Sequence, residues 1–172
     1  MWRPYAIAVV ALIALTAPAA ADDPVARGKY LVTIAGCADC HTPGALLGKP
    51  DAKRMLGGSD VGFAIPGAGV FFGPNLTPDK ETGLGGWTPE QIVTALTAGK
   101  RPDGRALAEV MPWQAFSNLT PSDAQAIVAY LNSLPPVKNA VPGPIGPKDP
   151  PDGLVFVIVP GKVYSTLPRP PQ

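Results

Sequence analysis

Cys37-Ala38-Asp39-Cys40-His41 gathers the chain's only two cysteines and its only histidine into five residues. A C-x-x-C-H run reads as a c-type haem attachment site. Each thiol adds to one vinyl group of the same porphyrin, and the adjacent imidazole is then held beneath the iron as an axial ligand. Competing readings fit less well. A thioredoxin-like redox pair wants a strand-helix-strand setting, whereas a helix-like segment precedes this motif and a Gly/Pro-rich stretch comes after it. A disulfide between Cys37 and Cys40 would leave His41 without a role, and zinc would need two further ligands from a chain with no other Cys or His.

Residues 1 to 21 carry Arg3, an apolar run from Ala6 to Leu15 and the small-residue end Ala19-Ala20-Ala21. This is the pattern of a secretory signal, cleaved before Asp22. The apolar run is shorter than the roughly 20 residues of a spanning helix, and acidic Asp22 and Asp23 come next. The expectation is an exported, periplasmic chain with no membrane span after signal cleavage. Arg3 is the leader's one charged residue, so the 14 basic and 13 acidic residues of the whole chain balance once it is removed. Basic residues form only a loose cluster at Lys100, Arg101 and Arg105, which indicates neither nucleic acid nor an anionic membrane surface as a partner. The length beyond the leader suits one domain with extensions.

Three helices are predicted. The first runs from about Asp23 to Ala35, with Asp23 as N-cap and Pro24 at the first helical position, and delivers the chain to Cys37. The second begins at the capping pattern Thr88-Pro89-Glu90-Gln91, carries Ile92, Val93 and Leu96 on one face and stops at Gly99. The third begins at Thr120-Pro121-Ser122-Asp123, with Ile127, Tyr130, Leu131 and Leu134 as its stripe before Pro135-Pro136. Helices this few and short bury little apolar area alone, so a porphyrin would have to complete the core.

Within the long connection from residue 42 to 87, Val61 to Ile65 and Val70 to Phe72 flank Pro66-Gly67-Ala68-Gly69 and predict a small hairpin. Eleven of the 23 prolines lie beyond Leu134, which marks the end of the chain as a tail or wrapping arm. Inside it, Leu154 to Val159 is strand-like and apolar, and such a strand needs a cover. Strand addition to the hairpin would protect its backbone and its side chains, while a partner subunit is the alternative cover.

With His41 on one side of an iron, the other side is left to Met, water, Lys or an open position. Met55 and Met111 are the methionines after the initiator. Met111, in Val110-Met111-Pro112-Trp113 between the second and third helices, is the better placed, because an irregular backbone there presents a thioether freely. His/Met ligation closes the iron, raises its reduction potential and suits electron transfer.

The chain to about residue 137 resembles a class I cytochrome c. The resemblance rests on Gly28-Lys29-Tyr30-Leu31, the haem motif, Gly73-Pro74-Asn75-Leu76, Trp87 before the middle helix, Met111-Pro112 and Ala129-Tyr130-Leu131, in that order. More narrowly, Gly57-Gly58, the run from Phe72 to Asp79, the run from Thr82 to Thr88, and Asp103-Gly104 look like the cytochrome subunits of membrane-bound alcohol, aldehyde and sugar-acid dehydrogenases. Those subunits usually carry several haem domains and a membrane anchor, whereas this chain has one haem motif. The resemblance implies that the Pro74 carbonyl accepts a hydrogen bond from the proximal imidazole and that the Trp87 indole donates to a haem propionate. It further implies that Leu76, Ile92 and Leu96 line the porphyrin, and that Gly28 lets the first and last helices approach near Tyr130.

Together these readings give an all-α cytochrome c fold around one covalent haem c, with a small β-hairpin insertion. The expected division is a signal at residues 1–21, a cytochrome c domain at 22–137 and a Pro-rich C-terminal arm at 138–172. Cys37, Cys40, His41, Pro74, Leu76, Trp87, Ile92, Leu96 and Met111 are expected to bind the haem, with His41 and Met111 on the iron. The expected function is a periplasmic one-electron carrier between a dehydrogenase donor and an oxidase or another cytochrome. The rivals are a haem enzyme or gas sensor with an open sixth position, and an interaction module with a structural haem.

Overall fold

The computed structural model describes residues 23–168; the signal expected at residues 1–21 lies outside them. Helix α1 (Pro24–Ile34) starts where predicted, with the Asp23 side chain accepting from the Val25 N–H and Pro24 in the first turn. A second, five-residue helix, α2 (Cys37–His41), is the haem motif itself. Short 3₁₀ turns come next at Ala45–Leu47 and Ala52–Arg54. The hairpin then forms from β1 (Val61–Ile65) and β2 (Gly69–Phe72), paired antiparallel with Gly62 opposite Phe72 and Ile65 opposite Gly69.

Helix α3 (Pro89–Ala98) has the full capping box, Thr88 and Gln91 exchanging side-chain and backbone bonds, and ends on Gly99 in the left-handed conformation. A one-turn helix, α4 (Trp113–Phe116), succeeds the Met111 segment. Helix α5 (Pro121–Ser133) is capped by Thr120, whose hydroxyl accepts from the Asp123 N–H. The arm contributes β3 (Leu154–Val157) and a short α6 (Gly161–Tyr164). No described helix is long and apolar enough to cross a membrane.

Helices α1 and α5 cross closely and form the centre of the molecule. Leu31 and Val32 of α1 and Ile127, Val128 and Leu131 of α5 are buried in one cluster with Ile92 and Leu84. Each such side chain contributes about 1.5 to 3 kcal/mol. Gly28 makes the crossing possible: a Cβ there would overlap the Ala126 carbonyl oxygen and come within 2.7 Å of the Tyr130 Cβ. Arg27 and Asp123 join the same two helices at 2.8 Å.

The arm does more than trail. Ile145 exchanges both backbone bonds with Val70 on the outer edge of β2, at 2.9 and 3.0 Å. Further on, β3 lies parallel to β1, with Val61 opposite Leu154 and Ala64 opposite Val157, so the sheet order is β2-β1-β3. Both edges of the hairpin are thereby occupied by the arm, which removes two free templates for aggregation.

Two details of the expected strand change. It ends at Val157 rather than Val159, because β1 itself turns away at Ile65-Pro66 and offers no further partner. Its cover also extends to the backbone more than to the side chains: Phe156 meets Phe63 at 6.1 Å between ring centroids, yet remains 57% exposed, and Ile158 is 80% exposed.

Candidate functional site

Gly36, at φ +64°, breaks the chain direction between α1 and α2, a conformation that glycine adopts without steric cost. Helical geometry then does the rest. Cys37 and Cys40 are three apart and His41 is four from Cys37, so all three side chains fall on one face of α2. They line one cavity of about 570 Å³, and the two thiols are unlinked. Burial pushes the Cys37 thiol up, with smaller additions from Cys40 and Asp39, and burial followed by Asp39 does the same for Cys40. Both therefore stay protonated near neutrality.

His41 is 5% exposed, and its Nδ1 lies 2.8 Å from the Pro74 carbonyl oxygen. A carbonyl only accepts, so Nδ1 carries the proton and Nε2 keeps its lone pair. Burial lowers the His41 pKa, and the Pro74 bond opposes it more weakly; the ring is neutral and oriented, the state in which an imidazole can bind a metal. The backbone holds it from two further directions. Gly58 donates to the His41 carbonyl at 2.8 Å, and a Cβ on Gly73 would collide with the Cys40 carbonyl.

Pro74 and Leu76 belong to a loop whose hub is Asn75, 1% exposed. Its Oδ1 accepts from the Thr77 N–H and hydroxyl at 2.9 and 2.7 Å, and its Nδ2 donates to the Thr82 hydroxyl and the Val137 carbonyl at 3.1 and 2.7 Å. Asn75 thus fixes the peptide next to the carbonyl bonded to His41.

Met111 lies in a turn between α3 and α4, where its N–H donates to the Ala108 carbonyl at 2.9 Å. Its side chain lines the same cavity as His41, as do Leu76, Trp87, Ile92 and Leu96. All nine residues singled out from the sequence thus line one space. Met55 does not line it. It is 39% exposed, and its sulfur receives the Thr42 hydroxyl at 3.4 Å.

Other lining residues escape sequence reading. Phe63, Phe71 and Phe72 of the hairpin contribute apolar wall, although the Phe71-Phe72 doublet is a signal that the hairpin faces something apolar. Arg101 lies over the Trp87 ring, 4.9 Å from its centroid, and Arg105 also borders the cavity. Burial, then the neighbouring Arg101 charge, lowers the Arg105 pKa. Residues 141–144 of the arm complete the lining, where proline-rich composition alone reads as a tail or wrapping arm.

An iron porphyrin fits this donor set. The cavity offers two thiols on one face, a neutral imidazole nitrogen, a thioether and apolar walls, with two cationic side chains where carboxylates could pair.

The cytochrome c family profile matches residues 25–135. The cytochrome subunit of fructose dehydrogenase from Gluconobacter japonicus is 37% identical over 115 residues, 66% of this chain and 22% of that protein. The cytochrome c subunit of the quinone alcohol dehydrogenase from Gluconacetobacter polyoxogenes is 38% identical over 127 residues, 70% of this chain and 26% of its own length. A diheme c-type cytochrome from Cereibacter sphaeroides is 31% identical over 114 residues, 66% of this chain and 37% of that protein. The chain therefore spans well under half the length of each of these relatives.

Proposed function

Because the chain belongs to the cytochrome c family, we propose that it is a one-electron carrier with a single covalent haem c. Cys37 and Cys40 would hold the porphyrin by thioethers, and His41 and Met111 would be the iron ligands. The haem supplies a reversible one-electron couple. The protein's own residues supply placement: Pro74 orients the imidazole, Leu76, Ile92 and Leu96 would exclude water, and Trp87 with Arg101 and Arg105 would hold the propionates. What supports this reading most is that the one histidine donates through Nδ1 to Pro74 and lines the same cavity as Met111 and both thiols.

The donor in this reading is a dehydrogenase, in keeping with relatives that are cytochrome subunits of such enzymes, and the acceptor is an oxidase or another cytochrome. The compartment is the periplasm, from the leader-like residues 1–21. The test is spectroscopic. Haem should stay with the polypeptide in acidified organic solvent, and the ferrous protein should resist carbon monoxide. Haem that extracts refutes covalent attachment, and prompt carbon monoxide binding refutes the closed His/Met iron and favours a gas-binding protein.

A further inference from the structure

We propose that residues 141–144 of the arm, Val-Pro-Gly-Pro, are a wall of the haem site that sets its exposure to water and thereby its reduction potential. The proposal rests on the haem c reading of the cavity. The segment lies beyond the stretch matched by the family profile, which ends at residue 135, yet it lines the same cavity as His41 and Met111.

It is held there from both ends. Upstream, Val137 N–H donates to the Thr77 hydroxyl at 3.0 Å and Asn139 N–H to the Thr82 hydroxyl at 3.0 Å, while Asn139 Nδ2 donates to the Gly57 carbonyl at 2.8 Å. Downstream, Ile145 is clamped to Val70 by two backbone bonds. Five residues, 140–144, separate these pins, and the last four of them line the cavity.

Their chemistry suits an apolar cavity. Pro142 and Pro144 present ring carbons and have no N–H that would need a partner against the porphyrin. Their fixed φ also lowers the entropy lost on ordering the strap. The opposing surface is shaped to receive it. A Cβ on Gly57 would come within 2.9 Å of Val137 Cγ1, and one on Gly58 would overlap Val141 and lie 3.2 Å from the Asn75 N–H nitrogen. The Gly57-Gly58 pair is therefore the seat of the arm. Removing the wall would let water reach the haem, favour the more charged oxidised state and lower the potential.

Two variants of the full holoprotein test this. One replaces residues 141–144 by Gly-Ser-Gly-Ser, keeping the length so that Ile145 and β3 still pair; the other ends the chain after Gly146, keeping the wall and removing β3 and α6. Redox titration should give a lowered potential for the first and a wild-type potential for the second, with the sulfur-to-iron charge-transfer band retained in both. Amide exchange at Gly58 should quicken in the first only. An unchanged potential in the first variant overturns the proposal, as does an equal shift in both. If the four-residue replacement fails to fold, Val141→Ser is measured by the same criteria, and a wild-type potential there is equally fatal. Failure of the haem reading would be seen earlier, as a wild-type protein without covalent haem.

Discussion

Residues 73–87, on the His41 side of the cavity, and residues 99–112, which carry Met111, differ in how their chain is held. The first is cross-linked by side chains: Asn75 and Thr77 are essentially inaccessible and bonded to each other, to Thr82 and to the arm at Val137. Asp79 closes the next turn by accepting from the Thr82 N–H and hydroxyl, both at 2.7 Å. The second is held chiefly by backbone bonds such as Leu107 to Gly99 at 2.7 Å and Met111 to Ala108 at 2.9 Å, with Asp103 accepting from the Arg105 N–H at 3.0 Å. Val110, beside Met111, is 41% exposed. A buried polar network specifies one geometry because every broken bond strands another group, whereas backbone bonds within a turn fix the chain path and leave its side chains less constrained. The imidazole side is thus built as a fixed reference, and the thioether side as the part that yields.

Breaking the fixed side should cost most. Asn75→Ala removes the acceptor of the Thr77 N–H and hydroxyl and the shorter of the two bonds to the Val137 carbonyl, and each buried group left short of a partner costs about 1 to 3 kcal/mol. A loss of about 3 kcal/mol in denaturant unfolding is expected, and a loss below about 1 kcal/mol would mean that the network is not what holds this loop.

Changing the yielding side should cost less stability and more chemistry. Met111→Ala removes one half-buried side chain, a loss of about 1 kcal/mol. The same change should abolish the sulfur-to-iron band and lower the potential. Met55→Ala should leave both spectrum and potential at wild-type values; the opposite pattern would move the ligand to Met55.

The smallest effect is a pH dependence on the fixed side. Thr82 bonding, first through its hydroxyl and then through its N–H, holds the Asp79 carboxyl below the usual carboxylate range. A depressed folded-state pKa stabilises the protein above the unfolded value, about 4, and that contribution disappears as pH falls through the folded value. Wild type should therefore melt slightly above Asp79→Asn at pH 7, and the gap should close at strongly acidic pH. A gap that persists in acid would show that the carboxylate charge is not its source.

Much of this site is legible before any geometry. The C-x-x-C-H run is local chemistry, and its three side chains share a face because five helical residues put them there. Helix starts at Asp23, Thr88 and Thr120 are equally readable, since a cap is a bond between residues two or three apart. The strand in the arm is visible in its run of valines. Its neighbour is a matter of inference, and its incomplete side-chain cover is not visible, because register against β1 depends on where that strand turns.

What the sequence determined by itself was the haem motif, helices α1, α3 and α5 and the hairpin, because these arise from short-range patterns; the residues expected to line a porphyrin follow from the resemblance to class I cytochromes c. The tertiary structure alone decided that Asn75 joins residue 77 to residue 137, that Met111 and not Met55 lines the cavity, and that Gly57-Gly58 receives the arm. It also decided, between a tail and a wrapping arm, that residues 141–144 line the cavity. Each of these is a contact between segments tens of residues apart, and motifs such as Gly57-Gly58, Asn75 and Met111-Pro112 mark the residues without naming their partners. An asparagine, a glycine pair and two prolines acquire their roles only from what folds against them.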